Sequence, residues 1–296
     1  MSQGLYAGID AGGTTFKCVL GCGPNHIMAS ADVPVGEPSQ TLAECAEFFK
    51  KNQARYGVAN SLGLACFGPI DLHPQSPTYG CIKSTPKPHW SDVDVMRFFQ
   101  TELSLPIVFD TDVNGALLGE LRWGGGRGFA NIVYVTVGTG IGAGVMMNSR
   151  LVYGALHTEA GHMLVPRRME DSFRGACPFH GGCLEGLASG TAVAERWQVS
   201  ADELAADHPA WELEAHYLAS ACVNLSMLYS PEKIILGGGI MRVDGLLSLI
   251  RRSFLSQVNA YPFDLSASID EFISLPELGS NAGLLGALAL AMRIKT

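Results

Sequence analysis

Two glycine-rich stretches of the same design stand about half a chain apart, Gly8 to Lys17 (GIDAGGTTFK) and Val135 to Gly144 (VTVGTGIGAG). In each, a β-forming run breaks into small residues and threonines. Glycine lets a backbone take positive φ and approach a ligand closely, and successive free N–H groups in such a turn form an anion-binding concavity. The pairing predicts two related lobes, each offering one phosphate-gripping hairpin to a shared cleft. Asp10, just before Gly12-Gly13-Thr14-Thr15 and Lys17, is placed to orient a Mg²⁺ through water, because Mg²⁺ takes one or two carboxylates plus phosphate oxygens. The plainer alternative is an Asp that caps its own turn.

A rival reading of the second stretch is a dinucleotide fingerprint, since Gly138, Gly140 and Ala143 fit its permissive form and Glu159 lies downstream. That turn has to open a helix. Here VMMNSRLVYG follows, apolar and β-branched residues around Asn148-Ser149-Arg150, which reads as strand, turn and strand. The G-x4-G-K-[ST] phosphate loop occurs nowhere in the chain.

The 296 residues suffice for two domains with substantial cores, and 47% hydrophobic with 16% charged residues describe a soluble globular chain. A net charge of −8 speaks against nucleic acid as a partner, which needs a basic footprint. Anionic ligands have to be held by glycine turns, helix N-termini or a metal. MSQGLYAGID has neither a charged start nor a long apolar run, and the apolar stretches Ile132 to Met147 and Asn281 to Met292 are short or broken. The expectation is no leader, no membrane partner and a cytoplasmic protein. Eight cysteines in a chain this long do not make a disulfide framework.

In chain order, Leu5 to Ala29 reads as three strands, with a second turn at Pro24-Asn25. Helical spacing covers Thr41 to Tyr56, and Ser61 to Phe67 forms a strand ending at Gly68-Pro69. Pro86, Pro88 and Trp90 mark an irregular segment, followed by a helix over Asp92 to Leu103. A short strand, Ile107 to Phe109, leads to Asp110-Thr111-Asp112, and Asn114 to Trp123 is helical. Asp112 therefore stands at a strand-to-helix junction, where ligand-facing groups concentrate in α/β proteins. Helices are expected over Ala188 to Ser200, Trp211 to Tyr229, Leu246 to Val258 and Ala282 to Met292, and strands over Lys233 to Leu236 and Phe272 to Leu275. Gly237-Gly238-Gly239 offers a flat backbone surface for a nucleoside, or is only a tight βα connection.

The sharpest local signal is Cys177, His180 and Cys183, spaced C-x2-H-x2-C, with His162 fifteen residues upstream of Cys177. Thiolates and imidazoles suit tetrahedral zinc, and two of each would close the shell into a structural site. The alternative is a coincidence of buried thiols and a surface histidine.

Gly8 to Thr15, Thr136 to Gly144, Glu159-Ala-Gly-His162, Cys177 to Glu185 and Leu236-Gly-Gly-Gly-Ile240 together resemble the ROK sugar kinases. Asp110 to Gly115 and the run Cys177 to Gly190 resemble the bacterial fructokinases of that family. The resemblance covers essentially the whole chain. It implies a two-lobed actin-like ATPase (ribonuclease H-like) α/β fold with a zinc-binding loop: an N-terminal lobe over residues 1–111, completed by a C-terminal helix at about 276–296, and a C-terminal lobe over 112–275 with zinc segment 157–185. It implies ATP-dependent phosphorylation of a hexose, D-fructose to fructose 6-phosphate, with Mg-ATP and structural zinc, in a homodimer.

By the same resemblance Asp10, Gly12, Gly13, Thr14, Thr15 and Lys17 face the phosphates and Mg²⁺. Thr136, Gly138, Thr139 and Gly140 form the second phosphate loop, Gly237 to Gly239 lie near the adenosine, and Asp112 is the catalytic base. Gly68, Thr111, Asp112, Glu159, His162 and Glu185 contact the sugar, and His162 also binds zinc with Cys177, His180 and Cys183. Two departures bear on the sugar. Many glucose-type members carry Asn where this chain has Thr111, and a three-cysteine metal set where it has Cys177, His180 and Cys183. Both point away from a strict glucokinase and leave mannose, glucose or an N-acetylhexosamine as alternatives. A non-catalytic sugar-sensing regulator is the alternative of another class; such relatives carry a DNA-binding helix-turn-helix before the first turn, where seven residues precede Gly8 here.

Overall fold

The computed structural model describes residues 4–261, 265 and 268–293. By internal packing they fall into two compact units, one from Met1–Arg127, Tyr153–His157 and Ser280–Thr296, the other from Gly128–Val152 and Thr158–Gly279.

The first unit opens with β1 (Tyr6–Ala11), β2 (Thr15–Gly23) and β3 (His26–Pro34), an antiparallel meander whose turns fall at the first glycine stretch and at Pro24-Asn25. Helix α1 (Pro38–Tyr56) follows, with proline in its first turn, where the missing N–H costs nothing. Then come β4 (Leu62–Cys66), α2 (Val95–Leu103), β5 (Ile107–Thr111) and α3 (Asp112–Trp123). The sheet order is β3-β2-β1-β4-β5, and β1, β4 and β5 run parallel. Helix α2 starts three residues later than its spacing predicts, because the Asp94 side chain accepts from Arg97 N–H and fixes the first turn at Val95.

The second unit repeats this plan with β6 (Ile132–Val137), β7 (Ile141–Met147) and β8 (Arg150–Leu151), again an antiparallel meander. Asn148 and Ser149 both take positive φ, 51° and 60°, the geometry of a tight two-residue hairpin turn. The second glycine stretch is therefore a hairpin and opens no helix. Helices α4 (Leu184–Ala188), α5 (Gly190–Trp197) and α6 (Ala210–Tyr229) lead to β9 (Lys233–Gly237), α7 (Leu246–Val258), α8 (Ile269–Phe272) and β10 (Ile273–Ser274). This sheet has the order β10-β9-β6-β7-β8, the same topology as the first, with β6, β9 and β10 parallel.

Three expectations shift here. The helix foreseen over Ala188 to Ser200 breaks at Ser189, whose hydroxyl accepts from Ala192 N–H and starts α5 afresh. A short 3-10 turn, Ile240–Arg242, stands between Gly239 and α7. Phe272 ends α8 instead of opening β10.

The final helix, α9 (Ala282–Ala291), belongs to the first unit and is apolar nearly all round, as a helix buried on most sides has to be. It lies so close to β4 and α3 that a Cβ on Gly63 would stand 2.0 Å from Ala287 O, and one on Gly286 2.2 Å from Gly115 O. Among the described residues no helix is long and apolar enough to cross a membrane.

Candidate active site

In the first unit the candidate residues gather at the carboxyl ends of three neighbouring parallel strands. Ala11, Cys66 and Thr111 stand side by side in register on β1, β4 and β5, so Asp10, Gly68 and Asp112 emerge from adjacent strand ends. In open α/β sheets this edge is where ligands bind. The buried Cys66 thiol senses both carboxylates: burial pushes it well up, and the charges of Asp112 and then Asp10 push it further.

Asp10 faces Lys17 across the β1–β2 ladder. Burial raises its carboxyl to about 6, against the opposing pull of Lys17 and with a smaller push from Asp32. Gly283, in the first turn of α9, leaves room for this carboxylate; a Cβ there would stand 2.2 Å from Asp10 Oδ2. The turn itself closes through Gly12 N–H donating to Thr15 O at 3.1 Å. Nothing described lies within 4 Å of where a Cβ on Gly13 would point, so its outer face is open to a ligand.

Asp112 is the first residue of α3, and its Oδ1 accepts from Val113 N–H at 2.8 Å, which fixes the carboxylate at a helix N-terminus. Thr111, assigned to the sugar by the family resemblance, caps α3 by accepting from Asn114 N–H at 3.2 Å. Gly68 precedes Pro69 through a cis peptide bond.

Two groups that braced this edge escaped the sequence reading. Buried Asp110 accepts from Thr111 N–H and Asn114 Nδ2 at 2.8 Å each, and from the Tyr153 hydroxyl. His157 Nε2 accepts from Ile70 N–H at 3.1 Å. Lys87 was also missed: its Nζ donates to Gly13 O on the first glycine turn, from 74 residues away in sequence.

In the second unit Thr136 and Gly237 are register partners on parallel β6 and β9, which brings the Thr136–Gly140 hairpin beside the Gly237–Gly239 turn. Gly138 O accepts from Gly190 N–H at 2.7 Å, and Thr139 O from the Thr191 hydroxyl at 2.8 Å. Gly138, like Gly13, has nothing described within 4 Å of its Cβ direction. Gly238 takes φ 95° with its Cα against Val137, where a Cβ would stand 2.3 Å from the carbonyl oxygen, so close packing alone already demands a glycine there.

Glu185 Oε2 accepts from Ile141 N–H at 2.9 Å, tying a residue assigned to the sugar directly to the second glycine hairpin. Glu159 is exposed, and its carbonyl accepts from His162 N–H at 3.0 Å in the 3-10 turn Ala160–His162.

His162, Cys177, His180 and Cys183 come together, with one donor atom of each within 4.8 Å of the others. His162 Nδ1 stands 3.6 Å from Cys177 Sγ and 3.5 Å from Cys183 Sγ, and His180 Nδ1 3.7 Å from Cys177 Sγ. A tetrahedral zinc with ordinary sulfur and nitrogen bond lengths has S···N edges of about 3.6 Å. The donor set fits that ion. The turn that shapes it folds back through Gly181, φ 59°, whose N–H donates to Cys177 O at 2.9 Å. Burial pushes the Cys183 thiol up to about 11. His162 presents Nδ1 to the thiols and lies 4.0 Å from Glu185 Oε1, so the cluster and the carboxylate share one wall.

Two sheets of identical order, each with an open glycine hairpin at its first turn, and a carboxylate held at a helix N-terminus define a two-unit α/β protein. The ROK family model matches residues 6–294, and the chain belongs to that family. A fructokinase of Zymomonas mobilis subsp. mobilis is 44% identical, covering 97% of this chain and 96% of that protein. One of Pediococcus pentosaceus is 37% identical, covering 97% of each. Among solved structures, the ROK hexokinase from Thermus thermophilus superposes with a TM-score of 0.78 at 25% identity, covering 97% of this chain and 98% of that one.

Proposed function

We propose that the chain transfers the terminal phosphoryl group of ATP to D-fructose, giving fructose 6-phosphate. The observation that carries this reading is the near full-length likeness to fructokinases at 37–44% identity. Asp112 is the base: as the sugar oxygen forms its bond to phosphorus and the bond to the ADP oxygen breaks, the hydroxyl proton passes to the Asp112 carboxylate. A carboxylate within reach of the hydroxyl suffices, because phosphoryl transfer depends mostly on positioning and on neutralising charge.

Asp10, with the Gly12-to-Thr15 turn and Lys17, takes the phosphates of Mg-ATP; Mg²⁺ supplies charge neutralisation there when bound. Thr136, Gly138, Thr139 and Gly140 form the second phosphate loop, and Gly237 to Gly239 lie under the nucleoside. Gly68, Thr111, Glu159, His162 and Glu185 bind the sugar hydroxyls. We further infer a structural zinc on His162, Cys177, His180 and Cys183, which holds the His162 ring so that its Nε2 edge is available to the sugar. The actin-like classification of the two sheets and the homodimer belong to the same reading.

A coupled ADP-release assay with Mg-ATP across fructose, mannose, glucose and N-acetylated hexoses tests it. Fructose is expected to give the highest kcat/KM, and Asp112→Asn to cut turnover by about 10²–10⁴-fold, the usual contribution of a positioned base, while leaving nucleotide affinity intact. No turnover with fructose sinks the reading; near-normal turnover in the variant removes Asp112 from its role.

A further inference from the structure

We propose that Lys87 is a phosphate-binding residue, whose ammonium moves from the Gly13 carbonyl onto the terminal phosphate of the nucleotide held at the first glycine turn. The proposal rests on that turn being a phosphate turn and adds a second lysine to it beside Lys17.

Lys87 approaches the turn from the irregular Pro86-Lys87-Pro88 segment. Its Nζ donates to Gly13 O and lies 5.5 Å from the centre of the Phe67 ring. The same turn is open where a Cβ on Gly13 would point, with no atom within 4 Å, so a ligand has room to seat there on the turn whose carbonyl the ammonium holds. Among the described residues no carboxylate pairs with Lys87, and partial burial lowers its pKa. A half-buried ammonium whose protein partners are a neutral carbonyl and a ring face has donors to spare for an anion.

The segment that carries it is built to hold it. Trp90 is 1% exposed, its ring lies 5.3 Å from Phe16 and 5.7 Å from Phe67, and its Nε1 donates to Gly36 O at 3.1 Å. Trp90 N–H donates back to Lys87 O at 3.3 Å, and Ser91 Oγ closes the loop by accepting from Thr85 N–H at 3.1 Å. Phe16 belongs to β2, directly after the turn, so the aromatic cluster ties Lys87 to the strand that follows the phosphate site. In a chain of net charge −8 and without a Walker lysine, Lys87 adds to Lys17 a positive charge that no helix N-terminus or glycine supplies alone.

The test uses the full chain and two variants, Lys87→Met, which keeps the apolar stem over Phe67, and Lys87→Arg, which keeps the charge. Titrations with ATP and with AMP are followed by calorimetry, beside fructose-dependent turnover. Lys87→Met is expected to bind ATP about 10–100-fold more weakly, the usual worth of a hydrogen bond to a charged group. AMP affinity, fructose KM and melting temperature should stay unchanged. Its kcat should fall about 100-fold, as for loss of one donor aimed at developing charge. Lys87→Arg should restore ATP affinity to within a few fold. Wild-type ATP affinity in Lys87→Met, equal loss of ATP and AMP affinity, or an arginine variant no better than methionine overturns the proposal. The two titrations do not depend on turnover, so absence of fructose phosphorylation in the wild type strikes the kinase reading and leaves this one to be judged by binding.

Discussion

Asp10→Asn should make the metal-free protein more stable while removing its activity. Burial raises this carboxyl from 3.8 to about 6. The folded chain therefore holds the proton up to about pH 6, and the unfolded chain releases it near pH 4. Between these values the folded state binds more protons, so stability falls as pH rises through the window, and above about pH 6 the full cost of the buried charge is present. A difference of roughly two pKa units is worth about 3 kcal/mol. Asparagine has the shape of the carboxyl and carries no charge, so at pH 8 the variant should gain up to about 3 kcal/mol, and at pH 4 almost nothing. Denaturant titrations of wild type and variant in chelator at both pH values measure this, and Mg²⁺ added with ATP should stabilise the wild type only. A variant no more stable than wild type at pH 8, or equally more stable at both pH values, refutes the argument that Asp10 is held ionised against its surroundings for a cation.

Two further outcomes follow from the second unit. If the cluster holds a structural zinc, wild type should show one zinc per chain in an elemental count and Cys177→Ser none, with a lower melting temperature, because one of the four donors is removed; a metal-free variant with unchanged stability and activity argues against a structural ion. Gly140→Ala would place a Cβ 2.6 Å from Glu185 Oε2 and displace that carboxylate from Ile141 N–H, so fructose KM should rise; an unaltered fructose KM would remove Glu185 from the sugar contacts.

Much of this was legible in the sequence because it is local. A hairpin glycine turn, a residue at a strand-to-helix junction and a C-x2-H-x2-C spacing are each written within a few residues. Helix boundaries failed where a side chain interrupts a continuing apolar pattern, as Ser189 does by capping α5. What could not be read was contact across long separations. Asp110 stood in plain view beside Asp112, yet its partner Tyr153 lies 43 residues on, and no spacing links them. Lys87 stands between two prolines with no spacing that links it to Gly13; only the fold sets it there.

The packing of α9 also governs the order in which this protein can be completed. A ribosome delivers Arg127 long before Ala282, on the order of ten to thirty seconds earlier at usual elongation rates. Throughout that interval the first sheet has emerged without the apolar helix that covers Gly63 and Gly115, and its uncovered face has to be kept from other chains. The first unit begins synthesis first, yet it is finished only with the last helix, so a nascent chain stalled before residue 282 carries an incomplete first unit however well its second unit has folded.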